Sequence, residues 1–200
     1  MAHSPKNVNT ADKTIVFSSV FLYDIKKEAL YMNPILANMA ARRSIRSFLP
    51  DTLPPYQLRE ILEAGRMAPS GGNKQACHFL VIQSPDILAE LSQRAVAAFA
   101  QMEASPDTYE SLASSIRKAK QGAYDFLYGA PVLVLVANLI DHGNAMADSA
   151  CALENMMLAA AGFGLGSCWI NQIRWLRDEP SIRSYLLSLG MAPEETIYGG

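Results

Sequence analysis

Arg42-Arg43-Ser44-Ile45-Arg46 gathers three guanidinium groups and a hydroxyl within five residues. Arginine offers a planar fork of donors that keeps its charge, which suits a dianionic phosphate. Further along, Pro69-Ser70-Gly71-Gly72-Asn73-Lys74-Gln75 reads as a polar, glycine-rich turn. In it Ser70, Asn73 and Gln75 can hydrogen-bond the polar edge of a heterocycle, and Gly71-Gly72 permit close backbone approach. Together the two segments predict a phosphorylated, planar ligand. Each also has a plainer reading. The arginines can be a solvated basic helix end favoured by the macrodipole, and the turn can be an ordinary helix-to-strand loop. On a helix, Arg42 and Arg46 share a face while Arg43 lies about 100° round. Convergence on one anion therefore requires the chain to leave the helix near Ser44.

The elements that must hold these residues follow from apolar spacing. Asn33-Pro34 is a helix cap with proline in the first turn. Ile35, Leu36, Met39 and Ala40 form the stripe of a helix running towards the arginines. Leu49 precedes Pro50 and should be extended, so the chain turns just beyond the cluster. Pro54-Pro55 opens a second helix, with Leu58, Ile61 and Leu62 on one face. Phe79-Leu80-Val81-Ile82 reads as a short buried strand. A helix capped by Asp86 should run to about Ala100, and a longer one from about Thr108 to Leu127. The run from Pro131 to Val136 predicts a central strand covered on both faces. Ala145 to Ala161, rich in Ala and Met, predicts a helix buried nearly all round, stopped by Gly162. Ser167 to Ile170 reads as a strand, Pro180 to Leu189 as a helix and Thr196 to Tyr198 as a last strand. Interleaved helices and strands predict a sheet with helical cover.

Two hundred residues at 50% hydrophobic content suffice for one well-cored domain. A formal charge of -2 provides no global field for nucleic acid or anionic membrane, so the arginine cluster is a local device. Cys77, Cys151 and Cys168 form no CxxC pair, which fits reduced thiols in a cytoplasm better than a disulfide framework. No apolar run approaches the roughly 20 residues of a membrane span. Ile15 to Tyr23 is followed by Asp24 and Lys26-Lys27-Glu28, and reads as a strand or a partner-contacting arm rather than a targeting signal. No His, Cys and carboxylate set has zinc-ligand spacing, so no metal is expected. His78 reads as a hydrogen-bonded core histidine. Tyr124, Phe126 and Tyr128 lie over a ligand pocket or, more simply, in the core or an interface.

The order of motifs resembles the FMN-dependent nitroreductase family. Ala41-Arg42-Arg43-Ser44-Ile45-Arg46-Ser47-Phe48 carries the likeness, with Ile61-Leu62-Glu63-Ala64 and the turn at residues 69–75 followed by His78-Phe79. So do Gly129-Ala130-Pro131, Glu154-Asn155-Met156-Met157-Leu158-Ala159-Ala160 and Gly162-Phe163-Gly164-Leu165-Gly166-Ser167-Cys168-Trp169. The resemblance implies an α+β fold: a three-layer α/β/α sandwich with a central mixed, largely antiparallel sheet. Residues 33–200 would form the FMN-binding domain behind an extension at residues 1–32. It implies a homodimer with FMN at the interface. Arg42, Arg43 and Ser44 would hold the ribityl phosphate, and Arg46 would lie near the flavin pyrimidine, where a cation offsets developing negative charge. Pro69, Ser70, Gly71 and Asn73, with Gln75 beside them, would reach the same flavin from the other protomer. Ile170-Asn171-Gln172 would set a backbone donor beside flavin N5. The implied activity is ping-pong reduction of a nitroaromatic or quinone by NADH or NADPH, with no side chain acting as acid or base.

Three departures bear on that expectation. Ala76-Cys77 stands where the family commonly has Pro-Trp. Asn171-Gln172 replaces a glycine-containing pair. The sequence ends at Gly200, where family members usually continue with a swapped strand and further basic residues. The departures motivate a second reading, a flavin-binding or flavin-consuming protein of the same fold. A third is an interaction protein whose arginines grip a partner's phosphates or carboxylates.

Overall fold

The structure, a computed structural model, describes residues 33–200 except Ala123. The apolar stretch Ile15 to Tyr23 lies outside the described residues. Asn38–Gly200 forms one compact unit, and Asn33–Ala37 belongs to a separate N-terminal one.

Strands β1 (His78–Ile82), β2 (Leu133–Leu139) and β3 (Glu195–Gly199) form an antiparallel sheet in the order β1-β2-β3. Leu80 lies opposite Leu135, and Ala137 opposite Ile197. The register slips between Val136 and Ala137, so Tyr198 of β3 is the extra residue of a bulge. The continuous apolar run in β2 is explained by its alternation. Leu133, Leu135 and Ala137 enter one core, and Val134 and Val136 enter another.

The first core packs helices α3 (Pro85–Gln101), α4 (Glu110–Lys120), α6 (Gln172–Trp175) and α7 (Pro180–Ser188) through Phe99, Ile116, Ile173 and Ile182. Phe99 and Ile182 are fully buried, each contributing about 1.5–3 kcal/mol by removal from water. The second core packs α2 (Pro55–Arg66) and α5 (Ala145–Gly162) through Ile61, Leu153 and Met156.

Several expectations change. Ser84, not Asp86, caps α3, its side chain accepting from the Ile87 N–H. The helix expected to reach Leu127 stops at Lys120. Beyond it the Asp125 carboxylate accepts the N–H groups of Leu127, Tyr128 and Gly129 at 2.9, 3.1 and 2.7 Å, which competes with helical bonding. Ser167 to Ile170 is not a strand of the sheet; it makes a single parallel bridge, Ser44 with Ser167. Helix α5 buries one face, with Asp148, Ala152 and Met156, while Met157, Leu158 and Ala159 are only half-buried.

Candidate functional site

The arginine segment begins where α1 (Pro34–Ala41) ends. The Asn33 side chain caps the start of that helix, accepting from the Ile35 and Leu36 N–H groups at 3.0 and 3.3 Å. The helical path is left at Arg42, two residues earlier than convergence requires, and the backbone then extends. The Ile45 N–H donates to the Ser167 carbonyl at 2.9 Å. Gly166 makes that approach possible, because a Cβ there would lie 2.9 Å from Ile45 Cγ1. Arg43 Nη1 donates to the carbonyls of Ala40 and Arg42 at 2.6 and 2.8 Å, so this guanidinium caps the helix end as the plainer reading anticipated. Among the described residues, none of Arg42, Arg43 and Arg46 pairs with a carboxylate.

The bridge ties the arginines to the segment that follows Ser167. At its far end Ile170 and Gly200 exchange N–H to C=O bonds of 2.7 and 3.3 Å. Residues 167–170 are therefore strapped to the arginine segment at one end and to the end of β3 at the other. The Ile170 N–H is spent on Gly200, and the Asn171 N–H donates to Gln172 Oε1 at 3.1 Å. The Gln172 N–H opens α6, where first-turn amides lack an intrahelical acceptor. Gln172 itself is buried, and its Nε2 donates to the Tyr124 hydroxyl at 2.9 Å. That hydroxyl also hydrogen-bonds Ser115 at 2.7 Å. The departure from a glycine pair thus supplies a side-chain bracket between this loop and α4.

Around these segments lies an apolar cleft of about 450 Å³, lined by Ile45, Phe48, Tyr128, Met157, Trp169 and Ile170 among others. Tyr128 adopts φ 58°, unusual for a bulky side chain, and is held there by the Asp125 turn. Burial pushes its phenol pKa up, while the nearby Arg46 guanidinium pulls the other way. The donor set fits a phosphorylated flavin. Ser44 and Arg46 flank the lining residue Ile45, and Asn171-Gln172 follow the lining residue Ile170, although Arg42, Arg43, Ser44, Arg46, Asn171 and Gln172 do not themselves line the cleft.

The glycine turn is elsewhere, and none of residues 69–75 lines the cleft. Gly71–Asn73 makes a 3-10 turn, with Gly72, Asn73 and Gln75 at φ 59°, 56° and 51°. Ser70 Oγ accepts the Gln75 N–H at 2.9 Å, and Gln75 Nε2 donates to Asn73 Oδ1 at 3.1 Å. Pro69 and Asn73 are exposed. The Gly71 N–H donates to Asp148 Oδ1 at 2.9 Å, and Asp148 Oδ2 meets His142 Nε2 at 2.8 Å. Neither Asp148 nor His142 was expected here. The available signal was the lone acid in the first turn of an Ala- and Met-rich helix.

Cys77, just past the turn, receives the Asn138 Nδ2–H at 3.5 Å, and burial pushes its thiol pKa up. His78 is hydrogen-bonded as expected, to Glu195 at 2.9 Å, but its side chain is 42% exposed and lies outside the core. Among the described residues no cluster of three metal-ligating side chains occurs, and no helix is long and apolar enough to cross a membrane.

Comparison with known proteins adds an independent line. The model of the Nitroreductase family matches residues 39–196. A nitroreductase with bound FMN from Bacteroides fragilis is 39% identical and superposes with a TM-score of 0.76, covering 84% of this chain and 85% of that one. One from Desulfitobacterium hafniense, also with bound FMN, is 25% identical with a TM-score of 0.72, covering 84% and 86%. A protein of Archaeoglobus fulgidus that bears an NADH dehydrogenase/NAD(P)H nitroreductase name is 27% identical over 70% of this chain and 68% of its own.

Proposed function

From the premise that this chain belongs to the nitroreductase family, we propose an FMN-dependent NAD(P)H oxidoreductase that reduces nitroaromatic or quinone-type acceptors. Bound FMN supplies a two-electron carrier that NADH or NADPH charges and the acceptor discharges in a separate, ping-pong half-reaction. The observation that supports the proposal is the Ser44–Ser167 bridge, which ties the arginine segment to the strand-like stretch leading into Ile170-Asn171-Gln172, with Ile45, Ser167 and Ile170 of the two segments lining one apolar cleft. Arg42, Arg43 and Ser44 would hold the phosphate, Arg43 being the one whose Nη1 is here engaged by the Ala40 and Arg42 carbonyls. Arg46 would offset negative charge on the ring. Within Ile170-Asn171-Gln172 the Gln172 N–H, which opens α6, would be the backbone donor to flavin N5, since the other two are engaged. Pro69, Ser70, Gly71, Asn73 and Gln75 would serve the flavin of the partner, a role compatible with their absence from the cleft lining.

A homodimer accounts for the half-buried Met157, Leu158 and Ala159 of α5, and for an apolar cleft open in a single subunit. Cores on both faces of the sheet support a three-layer α/β/α arrangement within residues 33–200. The acceptor is a small molecule, and three unbridged cysteines favour the cytoplasm.

The test is a visible spectrum of the purified protein with FMN, followed by NAD(P)H oxidation on adding a quinone or nitroaromatic. Flavin absorbance and sustained turnover are expected, and protein indifferent to FMN overturns the proposal. The engaged Asn171 N–H and the Gln172 bracket favour a second reading, flavin binding without turnover. Flavin uptake with no NAD(P)H oxidation would select it.

A further inference from the structure

Asp148 is a buried carboxylate that the flavin chemistry does not use. Its side chain is 5% exposed, and both oxygens are engaged. One takes the Gly71 N–H at 2.9 Å and the other meets His142 at 2.8 Å. Burying a carboxylate is costly unless it is well paired, so its presence beside Ala145, Ser149 and Ala152 points to what it holds. What it holds is the glycine turn. Among the described residues every other hydrogen bond of Ser70 to Gln75 is internal to that turn. Three of its residues sit in the left-handed region, which for Gln75 is strained and persists only under outside support. Asn144 completes the grip, since a Cβ on Gly71 would lie 2.0 Å from Asn144 Nδ2.

We propose that Asp148, oriented by His142, is a positioning residue for the flavin site. It anchors Gly71 so that the outward groups of Ser70, Asn73 and Gln75 are arranged before the ligand arrives. The proposal rests on the reading of the turn as a flavin-binding segment. Preorganisation of this kind raises affinity by lowering the entropy lost on binding. The residue itself touches no ligand.

The experiment measures the FMN Kd, the melting temperature of the apoprotein, and kcat at saturating FMN. Asp148→Ala should raise the Kd about tenfold or more, with kcat at saturating FMN within about threefold of wild type, because bound ligand then orders the turn. Asp148→Asn keeps an acceptor for the Gly71 N–H and should restore the Kd to within about threefold. A purely structural role predicts instead that melting temperature and kcat fall together and that saturating FMN recovers neither. Should Asp148→Ala not fold, Gly71→Ala keeps the N–H but drives a Cβ into Asn144 Nδ2, pushing the turn off the same anchorage, and is expected to weaken FMN by a similar factor. Wild-type protein that ignores FMN overturns the flavin reading and this proposal with it. Wild-type binding matched by Asp148→Ala, or by Gly71→Ala where the former does not fold, overturns this proposal alone.

Discussion

The arginine segment and the glycine turn are built in opposite ways for what is proposed to be one ligand. The first is open: Ser44 and Arg46 are exposed, the guanidiniums lack carboxylate partners among the described residues, and one backbone bond to Ser167 sets the position. The second is closed, its amide held by a buried carboxylate and its side chains hydrogen-bonded to one another. A charged cradle can be assembled by attraction to a phosphate, because Coulomb forces act over several ångströms. A turn that recognises a ring edge by hydrogen bonds needs its geometry in advance. Affinity should therefore reside mainly on the arginine side, and preorganisation on the turn side.

The largest effect should come from removing the charges. Arg42→Ala with Arg46→Ala deletes two charged hydrogen-bonding groups worth about 1.5–3 kcal/mol each, so FMN affinity should fall roughly 10²- to 10⁴-fold. Titration by flavin fluorescence measures it, and unchanged flavin content would favour a partner-gripping role for the arginines. A smaller loss should follow from displacing the segment with its charges intact. Gly166→Ala presses a Cβ onto Ile45 and should cost about 1–3 kcal/mol of overpacking. The FMN Kd should rise about tenfold, with partial rescue by adding Ile45→Ala. If Gly166→Ala binds normally, the Ser44–Ser167 bridge is not what positions the arginines.

The open half of the site was the more legible half in the sequence, and the reason is physical. Three arginines and a hydroxyl announce themselves by type, and the need to leave the helix followed from the angular spacing of Arg42, Arg43 and Arg46. The closed half depends on Asp148, which meets Gly71 across 77 positions of chain, and no local pattern encodes that contact. The fold divides similarly. The apolar runs of β1 and β2 and the proline-led starts of α2 and α7 were readable because they are local signals. Gly122, at φ 80°, ends α4 early and Asp125 captures the amides beyond it, and Ser167 to Ile170, though strand-like in composition, found only a bridge and one pair of bonds with Gly200. Tertiary partners decided those cases.

Salt separates the two regions without mutation. Exposed charges are screened over about 10 Å at 0.1 M salt, so raising sodium chloride from about 0.05 to 0.5 M should weaken FMN binding several-fold. The Arg42→Ala, Arg46→Ala variant should lose most of that dependence. Gly71→Ala should bind more weakly at every concentration yet keep the wild-type slope, since the turn contributes shape rather than charge. A flattened slope in Gly71→Ala would mean that the two regions are not separable.

The smallest effect concerns Cys77, at the margin of the closed region, where the family resemblance would have placed a tryptophan. Burial raises its thiol pKa, with Ser149 and Asn138 opposing weakly. The folded protein then holds the proton to higher pH than the unfolded chain, whose cysteines titrate at about 8.5. Between those two values the folded state binds more protons, so stability contributed by the neutral thiol is complete below about pH 8.5 and declines as pH rises further. Cys77→Ser should therefore flatten the alkaline fall in melting temperature while changing FMN affinity by less than about twofold. Peptide-mapped alkylation should be slow at Cys77 near pH 7.5 and accelerate in alkali. Fast labelling near neutrality, or a large loss of FMN affinity in Cys77→Ser, would move this thiol from packing to the flavin and join the two regions at a point the structure keeps apart.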